Sequence, residues 1–198
     1  TKIKKVLETV CVNCGKIKLD ESNPQFKDAC KMRDPKNRFN NIWRLCKSKM
    51  VCDNNESKED EDDAEKKPSH DGCGFRQPTI RKEGLKFKGH FKPEKNAEEN
   101  PQPETKYYSP ADVLQIFTKI TQEECRKMGL SHDYARPEWM IITVLPVPPP
   151  PVRPSISVDG TGQGARGEDD LTYKLGDIIR ANGNVKQAEA NGSPAHVV

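Results

Sequence analysis

The sequence predicts an irregular α+β chain, and three observations carry that expectation. A short β-rich apolar run, Met140 to Leu145, stands directly against a proline tract. Three segments repeat apolar residues at helical spacing behind residues that start helices. Hydrophobic residues make up only 33% of the chain against 32% charged, which is poor material for a self-sufficient core. With a mean hydropathy of −0.89 and 16 prolines, the fold needs help from a metal or a partner, because ordering the chain costs roughly 1–2 kcal/mol per residue.

Taken in order, Val6 to Cys11 and the segment after Cys14 are expected to form a short strand and a turn, followed by polar linker to Arg33. Asp34 then offers an N-cap with Pro35 at the first helical position, and Phe39, Ile42, Trp43 and Cys46 recur on one face, with Trp43 expected in the core. Asn54 to Lys67 has the composition of a disordered acidic insertion whose length should matter little. Paired strands are expected over Pro78 to Phe91, and a polar loop over Lys92 to Thr105.

Ser109, Pro110 and Asp112 resemble a capping box, ahead of an i, i+3, i+4, i+7 face made by Val113, Ile116, Phe117 and Ile120. Thr121 with Glu124 repeats the device, and Gly129 suits a left-handed helix end. Both helices are expected to pack on a strand over 139–145. Pro148 to Pro151 should form a stiff polyproline II strut, since proline fixes φ and lacks an N–H. The glycine-rich SVDGTGQGARGEDD reads as an exposed loop, and Leu171, Leu175, Ile178 and Ile179 as an amphipathic helix whose start is favoured by Glu168, Asp169 and Asp170.

The formal charge of +3 is too small to name a nucleic-acid partner, so distribution matters more. Lys2, Lys4, Lys5 and the run RKEGLKFKGHFK over Arg81 to Lys92 are basic; Glu56 to Glu65 is dominated by acids. A solvated surface explains both. Leu85, Phe87 and Phe91, interleaved with Lys86 and Lys88, would also suit a half-exposed strand beside nucleic acid. No apolar stretch is long enough to span a bilayer and no secretory signal pattern opens the chain, so a soluble protein without a membrane partner is expected. The TKIKK start and PAHVV finish look like cuts in a longer coding sequence.

Seven cysteines fit metal ligands plus free thiols better than a disulfide framework, which implies a reducing compartment. Cys11 and Cys14 form a C-x-x-C knuckle with Gly15 permitting the turn. A structural zinc wants two more ligands to complete a tetrahedron. Cys52 and Cys73, the latter in Asp71-Gly72-Cys73-Gly74, are candidates, and His70 competes because imidazole also binds zinc.

The run RPEWMIITVLPVPPPPVRPSIS, with VCVNCGKIKLD, DGCGFRQPTIRK, SPADVLQIF and RGEDDLTYKL, resembles the largest subunit of eukaryotic, fungal-like DNA-directed RNA polymerase II. The resemblance runs from about Lys2 to the end of the chain. It implies a fragment of the polymerase clamp: a zinc-binding segment over 1–80, core strands and helices over 81–147, a strut and lid loop over 148–170, and a helix over 171–198. It implies one zinc held by Cys11, Cys14, Cys52 and Cys73, leaving Cys30, Cys46 and Cys125 as thiols, with Cys46 a small core residue. His90, His132 and His196 lack partners at ligand spacing and should be surface residues.

The resemblance also implies a nuclear nucleotidyltransferase working with the second-largest and other polymerase subunits, template DNA and nascent RNA. Its lid, with Arg153, Ser157 and Val158, would reach the upstream end of the RNA–DNA hybrid and act as a wedge. Its magnesium is held by an NADFDGD loop, which this sequence lacks, so the chain alone should be inactive. Glu168 to Asp170 lack the alternation that lets acids converge on a metal, and GTGQGARG contains no GK[ST] phosphate cradle. A second reading is a non-enzymatic zinc-ribbon adaptor that presents PPPPVRP to a proline-reading partner.

Overall fold

The computed structural model describes residues 1–54, 71–93, 104–194 and 196–198. The expected acidic insertion beyond Asn54 and most of the polar loop before Thr105 lie outside them, as does His70. The described chain mixes helices and small antiparallel sheets, as an α+β chain should, and divides into two units, Thr1–Ile142 and Thr143–Val198.

The first unit opens with a helix where a strand was expected. Helix α1 spans Lys2–Thr9, because Ile3, Val6, Leu7 and Val10 follow helical rather than alternating spacing. Val6 and Leu7 are buried, and the Thr9 hydroxyl donates to the Lys5 carbonyl at 2.7 Å. The segment expected to be linker holds α2, Pro24–Cys30. Its Asn23 side chain accepts from the Phe26 N–H at 3.1 Å, and Phe26 is buried.

Helix α3, Pro35–Cys46, starts as expected on Asp34, whose carboxylate accepts from the Lys36 and Asn37 amides. Phe39, Ile42 and Cys46 enter the core. Trp43 does not: it is half-buried, its Nε1–H donating to Glu8 at 2.7 Å while Lys5 Nζ lies 4.4 Å from its ring centroid. An indole taken out of water needs an acceptor, and here Glu8, itself only partly buried, supplies it at the edge of the core.

Strands β1, Thr79–Glu83, and β2, Lys86–His90, make the expected hairpin. A third strand, β3, Thr105–Tyr108, pairs with β2. Helix α4, Pro110–Thr118, carries a reciprocal capping box between Ser109 and Asp112 and buries Val113, Ile116 and Phe117. Helix α5, Gln122–Lys127, is capped by Thr121, which accepts from Glu124 N–H, but the expected reciprocal box is not completed, because the Glu124 carboxylate accepts from Ile17 N–H at 3.0 Å instead. It ends at Gly129, φ +78°, where any Cβ would lie 2.7 Å from the Pro35 carbonyl oxygen. Thus helices α1 to α5, β1, β3 and Met128 close one core around Val6, Ile42, Ile80 and Phe117.

The strand expected over 139–145 is absent. Pro137–Met140 is a 3-10 helix against α4, and Ile142 and Val144 are exposed. Among the described residues no strand pairs with this run, and an apolar run without a ladder partner has no reason to stay extended.

In the second unit the strut is shorter than expected. Pro149 is extended, but Pro150–Val152 turns into a 3-10 helix; proline fixes φ near −65°, a value both conformations share, and leaves ψ open. The glycine-rich segment is exposed over 158–163 as expected, but its ends pair as a hairpin, β4 (Ile156–Ser157) with β5 (Arg166–Gly167). Helix α6, Asp170–Ala190, starts on Asp169 as expected, and none of its residues is buried. Among the described residues no helix is long and apolar enough to cross a membrane.

Candidate metal centre

The α1 helix ends where Val10 turns extended, and the chain folds back at once. Cys11 N–H donates to Lys16 O at 2.7 Å, Gly15 N–H to Cys11 O at 3.0 Å, and Val10 bridges Ile17. Gly15 has φ +78°, and a Cβ there would meet Lys119 at 2.7 Å. Only glycine fits this turn, which aims Cys11 and Cys14 to one side.

The other pair of cysteines sits on two facing arms. Val51 bridges Arg76, Cys52 N–H donates to Phe75 O at 3.0 Å, and Gly72 N–H donates to Asp53 O at 2.9 Å. This local antiparallel pairing places Cys52 opposite Cys73, although 20 residues separate them in sequence.

The four sulfurs lie within 4.8 Å of one another. Cys11 and Cys73 approach to 3.6 Å, Cys14 and Cys52 to 3.7 Å. A tetrahedron with metal–sulfur bonds of about 2.3 Å has edges of about 3.8 Å, so the cluster has the size of a four-thiolate site. Cys11 and Cys52 are fully buried, Cys14 half-buried and Cys73 exposed.

Electrostatics agree with a cation between them. The Cys52 thiol hydrogen-bonded to Cys11 holds Cys11 down at about 4, while Cys52 is pushed up by the same bond and by burial. Burial pushes Cys14 up to about 11. Packed this closely, the sulfurs cannot all be anionic without a compensating cation. A divalent ion would supply it, and a soft one would suit thiolates. Among the described residues the cluster consists of four cysteine sulfurs, the donor set of a four-thiolate structural site.

Further polar groups support the sulfurs. Asn13 donates to Cys11 Sγ from its backbone at 3.4 Å and to Cys73 Sγ from its side chain at 3.5 Å. The Gln77 amide donates to Cys11 Sγ at 3.0 Å. Lys119 Nζ donates to Asn13 O at 2.7 Å, fixing the knuckle's outer side. No spacing rule pointed to Gln77 or Lys119. The remaining thiols stay apart: burial pushes Cys46 up to about 12, fitting a small core residue.

The proposed lid residues belong to the second unit. Arg153 is half-buried, its Nε–H donating to Pro148 O at 2.9 Å and its Nη1 to Thr172 at 3.2 Å. Ser157 donates to Asp159 at 2.6 Å, which holds that carboxyl below its usual range. Val158 is 77% exposed and follows β4 directly, its N–H donating to Ala165 O at 3.0 Å. Arg153 thus secures the base, whereas Arg166, opposite Ser157, is the exposed cation. Ser155 donates to both Glu168 oxygens at 3.0 Å, so Glu168 closes the loop base while Asp169 caps the helix.

The match to a known family spans residues 1–198, and the chain belongs to that family, RNA polymerase Rpb1, domain 1, the N-terminal region of the largest subunit of DNA-directed RNA polymerase.

Proposed function

We propose that this chain is the clamp part of the largest subunit of a fungal-like nuclear RNA polymerase II, held by one structural zinc and carrying a lid that keeps transcript and template apart. The convergence of Cys11, Cys14, Cys52 and Cys73 on a tetrahedron-sized cluster supports the metal. Bound there, zinc joins the α1 knuckle to the two arms after α3, replacing apolar core that this sequence does not supply. The chain has no NADFDGD loop, so magnesium chemistry resides elsewhere in the polymerase.

The single observation behind the lid is the hairpin: β4 and β5 leave Val158 exposed with Arg166 beside it, on a base locked by Arg153 and Ser155. An exposed apolar residue can replace stacking at a fork while a neighbouring cation meets phosphate. The exposed apolar residues Val144, Val147, Leu171 and Ile179 suit a chain that works within an assembly of the second-largest subunit, other subunits, template DNA and nascent RNA. The proline-presenting adaptor is less well supported, since Pro150–Val152 leaves the extended form such ligands use.

The test is hybrid length in elongation complexes on single-stranded template, where no second DNA strand competes. Deleting 158–165 from the assembled enzyme should spare nucleotide addition and let transcript remain paired. Arg166→Ala should show a weaker, salt-sensitive form of this. An unchanged hybrid after the deletion refutes strand separation by this hairpin.

A further inference from the structure

We propose that Gln77 is a positioning residue for the metal centre, its side-chain amide orienting the Cys11 thiolate and drawing charge from it through an N–H···S bond. The inference deepens the four-thiolate reading and rests on it. Gln77 is 3% exposed, and its polar side-chain atoms are all engaged. Its Oε1 accepts from Val12 N–H at 3.0 Å; its Nε2 donates to Cys11 Sγ at 3.0 Å and to Phe75 O at 2.8 Å.

These partners fix the amide's orientation. Reversing it would set NH2 against the Val12 N–H and oxygen against a sulfur and a carbonyl, so the network admits one assignment. The N–H therefore faces Cys11, one of the two ligand cysteines that are fully buried. A charge-assisted donor stands in for water there.

Gln77 also spans both halves of the cluster. Val12 lies in the C-x-x-C knuckle, Phe75 lies on the arm that carries Cys73, and Gln77 N–H donates at 2.7 Å to Met50 O, two residues before Cys52. The side chain thus joins the knuckle to the Cys73 arm while the backbone N–H of the same residue holds the Cys52 segment, so one buried residue sets three ligand-bearing segments in register.

The test uses the full 198-residue chain loaded with Co2+, whose sulfur-to-metal charge-transfer band reports thiolate donation. Gln77→Glu keeps the shape and the acceptor for Val12 but replaces the donor with a carboxylate oxygen. Gln77→Met keeps the approximate volume and removes both. Metal competition should show Gln77→Glu binding about 10- to 100-fold more weakly, and at saturating Co2+ both variants should shift the band to lower energy. A wild-type band that neither variant moves overturns the role of Gln77 even where affinity falls, because a merely structural residue would act that way. A wild-type cobalt spectrum without that band overturns the four-thiolate reading and the role of Gln77 with it.

Discussion

Removing one thiolate should weaken metal binding by an amount that depends on where in the cluster it sits. Structural zinc sites bind with about 10–16 kcal/mol of apparent free energy, so an equal quarter is about 2.5–4 kcal/mol, or roughly 60- to 700-fold in affinity. Cys73 is exposed and Cys52 fully buried. Water can take the vacated position in Cys73→Ala, which should fall at or below the lower figure. Cys52→Ala leaves a position that solvent does not reach and should exceed it. Competition with a chromophoric chelator gives the affinities, and metal analysis should find one ion per wild-type chain. Thermal unfolding should follow the same order, since a ligand at 1,000 times its dissociation constant stabilises by about 4 kcal/mol, a large part of a domain's usual 5–15. Wild-type affinity in Cys73→Ala, two tight ions per chain, or equal losses at the two positions would refute the reasoning.

The chain alone, given template, nucleotides and magnesium, should make no template-dependent RNA; synthesis by a preparation free of whole polymerase would overturn that. Stability should also carry a pH signature from Glu124, whose carboxyl burial raises above the usual carboxylate range although Oε1 accepts from Ile17 N–H. The folded state therefore holds this proton more tightly than the unfolded chain, so the contribution is fully present below the unfolded value near 4.5 and is lost as pH rises through the raised folded value. Glu124→Gln should flatten that dependence in denaturant titrations, and an unchanged slope would refute it.

Local signals were legible where the residue that makes the structure is itself the signal. Asp34 with Pro35, Ser109 with Asp112, Thr121, Gly129 and Asp169 all start or end helices as the sequence predicts, because a cap depends on only a few neighbouring residues. The failures share a cause too. Val6–Cys11 and Met140–Leu145 were both expected to be strands from apolar content, and short apolar runs do not distinguish helix from strand. Counting from Ile3 would have exposed the helical spacing of α1. Asn23-Pro24 was a readable start for α2, hidden by the polar residues around Phe26. Nothing local announces β3, which exists because β2 offers it an edge.

The metal centre shows the same boundary between local and non-local information. The knuckle is written in Cys11, Cys14 and Gly15, but the placement of Cys73 beside Cys11 depends on arms that pair across a long intervening segment. A lone glutamine in such an arm has no spacing that marks it. Its role emerges only when Val12, Met50 and Phe75 converge on it. The same reasoning governs α6. Leu171, Leu175, Ile178 and Ile179 give the period of a helix with one apolar face, and the helix forms on its own cap, yet Ile179 is 72% exposed. Periodicity specifies that a face is suited to burial; it carries no information about what supplies the cover. For a chain belonging to the largest subunit of a multisubunit polymerase, that distinction separates what this sequence encodes by itself from what assembly must add.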